Sequence, residues 1–305
     1  MSKIGFLFPG QGAQSVGMGR ALYQESPPTR DLFDRANDLL GFDLKSLCFD
    51  GPAEALEATD VSQPAIFVAS LAALEDLKTR EPELVASCAG AAGLSLGEYT
   101  ALVFAGALDF ESGLRLVRRR GEAMQSAAVA SPSGMASIIG LDEPAIDELC
   151  RRMAPFGRVW KANLLGPGNI VVSGERVALD SLEPLATELG AVRVIRLSVA
   201  GAFHTPLMEP AVQSLNEVLG QTSINPVLRF PVYANVDAKP HEADVARIRS
   251  RLAAQLTQPV RWEESLRAML ADGYDSFYEI GPGRVLTGLL KRIDRKVPCA
   301  NVPAR

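Results

Sequence analysis

Apolar residues along this chain change their period several times, and each change marks an element. Ile4–Phe8 is a short apolar run that stops at Pro9-Gly10, which predicts a buried strand feeding a tight turn. Helical spacing follows over Gly19 to Gln24, Thr29 to Leu40 and Pro52 to Ala58. Gln63-Pro64 opens a stretch through Leu74 that is apolar nearly all round, the pattern of a buried helix. Leu84 to Gly90 is small and apolar and reads as a strand; Glu98 to Ala105 reads as a helix. Phe110 to Ala128 repeats apolar residues at helical spacing and carries Arg118-Arg119-Arg120. At ~100° per residue three consecutive arginines cannot share one face, so one of them points inward.

From Ser131 the texture shortens. Strands are predicted at Gly134 to Gly140, Val159 to Leu164, Asn169 to Gly174 and Val192 to Leu197, with helices at Pro144 to Met153 and Val177 to Gly190. That order is βαββαβ, a ferredoxin-like unit. Strand–helix alternation then resumes with Phe230 to Asn235, Ala243 to Gln255, Trp262 to Asp272, Ser276 to Ile280 and Val285 to Ile293. The fold class is therefore α/β: a large hydrolase-like core with a parallel sheet and an inserted ferredoxin-like (βαββαβ) small subdomain. The expected division is 1–130 with 199–305 for the large subdomain and 131–198 for the small one.

Composition narrows the class. The 305 residues are 47% hydrophobic, enough for a large core, and the net charge of −5 argues against wholesale nucleic-acid or membrane-surface binding. The four cysteines, Cys48, Cys88, Cys150 and Cys299, are far apart and form no metal or disulfide pattern. The N-terminus lacks the core and cleavage site of a signal peptide, and no apolar stretch reaches the roughly 18 residues a span needs. A cytoplasmic protein with no metal is expected.

The candidate chemistry centres on Gly93-Leu94-Ser95-Leu96-Gly97. A serine between a strand and a helix, flanked by glycines, sits on a sharp turn where a Cβ on either side would crowd the backbone. Such a turn exposes the hydroxyl beside the free N–H groups that open the helix. The pentapeptide leaves two readings open: Ser95 is a nucleophile, or it caps the helix. A nucleophile needs a base, and the chain has two histidines. His241 lies in a polar loop expected to face solvent. His204 lies in Gly201-Ala202-Phe203-His204-Thr205-Pro206, where the small unit returns to the large one, and is the candidate base. Gly10 and Gly12 also suggest a dinucleotide loop, but Ser15 stands where its third glycine belongs.

Taken together, Phe8-Pro9-Gly10-Gln11-Gly12, Gly93 to Tyr99, Arg120-Gly121 with Met124-Gln125, Gly201-Ala202-Phe203-His204 and Gly281-Pro282-Gly283 follow one another in the order and spacing of a known family. Over essentially its whole length the chain resembles the malonyl-CoA:acyl carrier protein transacylases of fatty acid synthesis. The resemblance implies Ser95 as nucleophile, His204 as general base, and Gln255 as the residue whose backbone carbonyl orients that histidine. It implies backbone N–H groups of Gln11 and Leu96 as the oxyanion hole, and Arg120 as the partner of the malonyl carboxylate. Phe203 matches a position that crowds the acyl pocket, and Asn163 a substrate-binding asparagine. Arg193, Lys291 and Arg292 match residues proposed to contact CoA or the carrier. It further implies malonyl-CoA and acyl carrier protein as partners, no cofactor beyond the CoA thioester used as substrate, and a monomer. The resemblance departs at Leu94, where relatives usually carry histidine, and at Leu165, where they carry asparagine. Two other classes share parts of the pattern. A serine esterase or thioesterase of the α/β-hydrolase type expects its histidine late in the chain, whereas about a hundred residues follow His204. A non-catalytic carrier-binding homologue would keep the scaffold alone.

Overall fold

The computed structural model describes residues 2–305. Its strands are, in chain order, β1 (Ile4–Phe8), β2 (Cys88–Gly93), β3 (Ser133–Ile139), β4 (Val159–Gly166), β5 (Asn169–Glu175), β6 (Arg193–Arg196), β7 (Val232–Tyr233), β8 (Ser276–Gly281) and β9 (Cys299–Pro303). Five of them form a parallel sheet in the order β7-β2-β1-β8-β9. Parallel strands need helical crossovers that cover both faces, which is why β1 and β2 are almost wholly buried and read as continuous small or apolar runs. The helix Thr59–Arg80 is buried along most of its length, packed against the helix Phe110–Ala130 and β8. The other four strands make a separate antiparallel sheet, β4-β5-β3-β6, with its own apolar core around Ile138, Ile146, Leu149 and Val172. The two units are stitched where Leu164 N–H donates to the Val260 carbonyl at 2.9 Å and Val260 N–H to Ala162 at 2.8 Å.

Register decides what meets at the top of the parallel sheet. Phe8, the last residue of β1, pairs with Gly93, the last of β2. The loop carrying Gln11 and the turn carrying Ser95 therefore leave the sheet side by side, at the carboxyl ends of adjacent strands where α/β ligand sites form. On the other side of β2, Ala92 pairs with Tyr233, which brings Asn235 up beside the same turn.

Several expected elements differ. The strand drawn over Leu84 to Gly90 is instead a helical turn, Pro82–Ala86, followed by β2 from Cys88; Pro82 takes the first helical turn, where its missing N–H costs nothing. The buried helix begins at Thr59, five residues before Pro64, so tertiary packing keeps a proline inside it. Val177 to Gly190 is two helices, Arg176–Asp180 and Leu182–Glu188. Pro184 gives the reason, since its ring conflicts with a helical carbonyl at Asp180. Only Val232–Tyr233 of the Phe230 to Asn235 run pairs as a strand, and β9 and the helices Leu44–Asp50 and Glu209–Gln221 carry periods too short or mixed to be read from sequence. Among the arginines of the helix Phe110–Ala130, Arg118 and Arg119 lie at the surface beside Glu122 while Arg120 points inward.

Two glycine substitutions test how tightly the site turn is packed. A Cβ on Gly97 would lie 2.1 Å from the Phe8 carbonyl oxygen, a backbone atom that cannot yield. Gly97→Ala is expected to lose at least about 3 kcal/mol of stability. Gly288, inside the helix Val285–Ile293, has nothing within 4 Å of the same position. Gly288→Ala is expected to gain about 0.5–1 kcal/mol. Denaturant midpoints read both.

Candidate active site

The turn after β2 is built by close approach. A Cβ on Gly93 would lie 1.9 Å from the Gly97 carbonyl carbon, so strand end and helix start cross with no room between them. This crossing forces Ser95 into the left-handed region, φ 51°, a conformation that costs a non-glycine residue about 1–2 kcal/mol. The strain is compensated by one side chain. Asn235 Oδ1 accepts the Ser95 N–H at 2.7 Å while its Nδ2 donates to the Gly93 carbonyl at 2.8 Å, clasping the turn from both sides. Leu94 N–H donates to the Phe8 carbonyl at 3.0 Å, so the position before the serine is held through its backbone and tolerates an apolar side chain.

His204 also has a left-handed backbone, φ 62°. Its Nε2 lies 3.0 Å from Ser95 Oγ, and its Nδ1 lies 2.7 Å from the Gln255 backbone carbonyl. A carbonyl only accepts, so Nδ1 carries the proton and Nε2 is left free to accept from the serine. Burial first, and then the Arg120 guanidinium, push the imidazole down from 6.5 to about 3, partly offset by the Gln255 hydrogen bond. His204 is therefore neutral near pH 7.

Arg120 is 1% exposed. Its Nη2 donates to Ser95 Oγ and to Gln255 Oε1, each at 2.9 Å, and its Nη1 donates to Gln63 Oε1 at 2.6 Å. The guanidinium lies over the Tyr99 ring, 5.4 Å from its centroid, and Nε has no hydrogen-bond partner among the described residues. Burial lowers its pKa, opposed by Tyr99 and Glu98.

Beneath the turn, Glu98 Oε2 accepts the Asn235 backbone N–H at 3.0 Å and Gln255 Nε2 at 2.6 Å. Gln255 Nε2 also donates to the Ser95 carbonyl at 3.0 Å. His241, expected at the surface, is instead buried against Glu98 Oε1 at 2.8 Å. The cause lies in the backbone: Pro240 bridges to Tyr233 and His241 N–H donates to Val232, which folds the loop back along β7.

A cavity of about 160 Å³ opens over Ser95 and His204. Gln11, Asn163 and Phe203 line it, as do Leu94 and Leu165, which make part of its wall apolar. The backbone N–H groups of Gln11 and Leu96 have no hydrogen-bond partner among the described residues. Arg193, on β6, and Lys291 and Arg292, at the end of the helix Val285–Ile293, are exposed and form no ion pair among the described residues. The four cysteines are free, and burial pushes Cys48, Cys88 and Cys150 up to about 12, so these thiols stay protonated. No group of three or more histidine, cysteine or carboxylate side chains among the described residues is placed to hold a metal.

The structure thus brings Ser95, His204, Gln255 and Arg120 into one hydrogen-bonded group, with Gln11, Leu96, Phe203 and Asn163 around it. Arg193, Lys291 and Arg292 lie outside. Sequence reading missed Asn235, Glu98, Gln63 and His241. Glu98 had one available signal, an acidic residue next to the pentapeptide in a helix with no exposed face. Asn235 had none, because its partners lie about 140 positions earlier in the chain.

A serine hydroxyl within hydrogen-bond reach of a histidine, at the carboxyl end of a parallel α/β sheet, is an arrangement that acyl-transferring enzymes use. The chain belongs to the acyl transferase family, whose domain model matches residues 5–302. It is 44% identical over 300 residues to the malonyl CoA-acyl carrier protein transacylase of Bacillus subtilis, covering 97% of this chain and 92% of that one. It is 42% identical to the mitochondrial malonyl-CoA-acyl carrier protein transacylase of Homo sapiens, over 93% of this chain and 75% of that one. Among solved structures, the acyl-carrier-protein-S-malonyltransferase of Bartonella henselae superposes with a TM-score of 0.94 at 37% identity, covering 98% of this chain and 95% of that one. A malonyl-transacylase in complex with its type II polyketide synthase acyl-carrier protein superposes at 0.93 and 39% identity, covering 98% and 96%.

Asn235→Ala would leave the Ser95 N–H and the Gly93 carbonyl without partners inside the protein. A stability loss of about 2–4 kcal/mol is expected in urea denaturation, well above that of an ordinary buried truncation of this size.

Proposed function

We propose that this acyltransferase moves the malonyl group from malonyl-CoA to the phosphopantetheine thiol of acyl carrier protein by a ping-pong mechanism through a malonyl-Ser95 ester. The observation that carries the reading is the buried Arg120 guanidinium, 2.9 Å from the oxygen that would carry the acyl group. An acyl group three carbons long keeps its free carboxylate within reach of that cation, and a planar bidentate fork favours a carboxylate over a methyl group.

In the first half-reaction His204 Nε2 takes the Ser95 proton and Oγ attacks the thioester carbonyl. The oxyanion is received by the N–H groups of Gln11 and Leu96; losing one such donor typically costs ~3 kcal/mol. Collapse breaks the C–S bond, and the imidazolium returns its proton to the CoA thiolate. In the second half-reaction His204 accepts the carrier thiol's proton, the thiolate attacks the ester, and Ser95 leaves with that proton. The Gln255 carbonyl stabilises the imidazolium in place of an aspartate. Phe203 and Asn163 bound the acyl pocket, and Arg193, Lys291 and Arg292 meet the CoA phosphates or the acidic carrier. The same reading gives a hydrolase-like large subdomain, 1–130 with 199–305, and a ferredoxin-like small subdomain, 131–198. The sheet order β4-β5-β3-β6 supports the latter. It also gives a cytoplasmic monomer that uses the CoA thioester as substrate and no cofactor; no helix among the described residues is long and apolar enough to cross a membrane.

Intact-mass measurement with malonyl-CoA, acetyl-CoA and acyl carrier protein tests the proposal. The expected result is a malonyl adduct, absent in Ser95→Ala, that passes to the carrier, with acetyl much poorer; Arg120→Ala should erase most of that preference. Hydrolysis without transfer would mark an esterase, and no adduct a carrier-binding scaffold.

The low His204 pKa sets the pH dependence. A depressed value means the base is protonated only below about 3 rather than below 6.5. Single-turnover acylation should therefore stay level from about pH 8 to about pH 5. An acid limb near the ordinary histidine value would show that burial and Arg120 do not hold the imidazole low in the working enzyme.

A further inference from the structure

The transfer mechanism leaves one buried ionisable pair without a task. His241 Nε2 lies 2.8 Å from Glu98 Oε1, with side chains 0% and 1% exposed. The ring nitrogen that makes this bond needs its proton, and the buried Nδ1 has no partner among the described residues. The imidazole therefore forgoes one hydrogen bond in order to make the other. Its backbone leaves it little choice of place: His241 N–H is tied to Val232 at 2.8 Å, and the Pro240 carbonyl accepts Arg251 Nη1 at 3.0 Å.

What the pair holds is the underside of the site. Glu98 Oε2 carries Gln255 Nε2 at 2.6 Å and the Asn235 N–H at 3.0 Å. Gln255 in turn orients His204 through its backbone carbonyl, and Arg120 and the Ser95 carbonyl through its side chain. Asn235 clasps the serine turn. We infer that Glu98 and His241 are positioning residues for acyl transfer: His241 fixes the rotation of the Glu98 carboxylate, and that carboxylate fixes the Gln255 and Asn235 groups on which the Ser95–His204 geometry rests. Without His241, Oε1 loses its donor, and a buried anion without a donor turns toward a buried cation. Arg120 is a buried cation close enough that its charge already feels Glu98. A carboxylate that rotates toward it releases the Gln255 amide. The inference rests on the acyl-transfer reading above.

The test uses the full-length protein with His241→Ala and His241→Gln, the glutamine amide nitrogen standing in for Nε2. Two rates are measured: kcat and KM for malonyl transfer, and the rate at which a fluorophosphonate labels Ser95, which needs neither malonyl-CoA nor carrier. Labelling to completion counts intact sites. His241→Ala should slow both labelling and kcat about tenfold or more per intact site, with KM for malonyl-CoA within about twofold. His241→Gln should recover most of both. Wild-type rates per intact site in His241→Ala, or equal losses in the two variants, would overturn the inference. If the wild-type protein labels but never accepts malonyl, the acyl-transfer reading fails while the labelling rates still decide the positioning role.

Discussion

A guanidinium and a carboxylate lie inside this protein, and a single amide joins them. Arg120 donates to the oxygen of the Gln255 side chain, and the nitrogen of the same side chain donates to Glu98. Neither charge reaches water, each being 1% exposed. Buried charges of this kind are costly unless paired and fully hydrogen-bonded, and removing one partner is worse than never having had the pair. The surrounding residues meet most of that requirement, with Arg120 Nε left unbonded. Gln63 and Ser95 take further Arg120 hydrogens, while Asn235 and His241 supply the remaining Glu98 donors.

The same connections put a neutral carbonyl, and no carboxylate, against His204. A buried carboxylate in place of the Gln255 amide would pair with Arg120 directly. With the anion set back by one amide, its charge still supports Arg120, His204 receives a neutral carbonyl, and the guanidinium keeps Nε unbonded. The cost is dependence on the placement of a side chain with several rotatable bonds, which the Glu98 and Asn235 contacts restrain from below.

Backbone strain belongs to the same economy of placement. Among the described residues, Ser95 and His204 are two of the three non-glycine residues with positive φ. Such conformations persist only where their surroundings over-determine them. For Ser95 the surroundings are the Gly93–Gly97 crossing and the Asn235 clasp. For His204 they are the Gln255 carbonyl and the neighbouring Thr205 hydroxyl, which donates to Ala202 at 2.7 Å.

Local pattern determined a good part of this protein. The pentapeptide around Ser95, the inward turn of one arginine in three and the strand–helix alternation each depend on neighbours within a few positions, and the scarcity of histidine is plain composition, so all could be read from the chain alone. The elements that went astray did so where a proline or a long-range contact outweighed local period, as at Pro64, at Pro184 and in the His241 loop. The tertiary structure decided the rest. Asn235 and Glu98 reach the turn only because β7 pairs with β2 and the helix after the turn starts against β1. His241 is a surface residue by its neighbours in sequence and a buried one by its neighbours in space. A buried polar group must find its partner wherever the fold puts one, and at separations of some 140 residues no local period records where that will be.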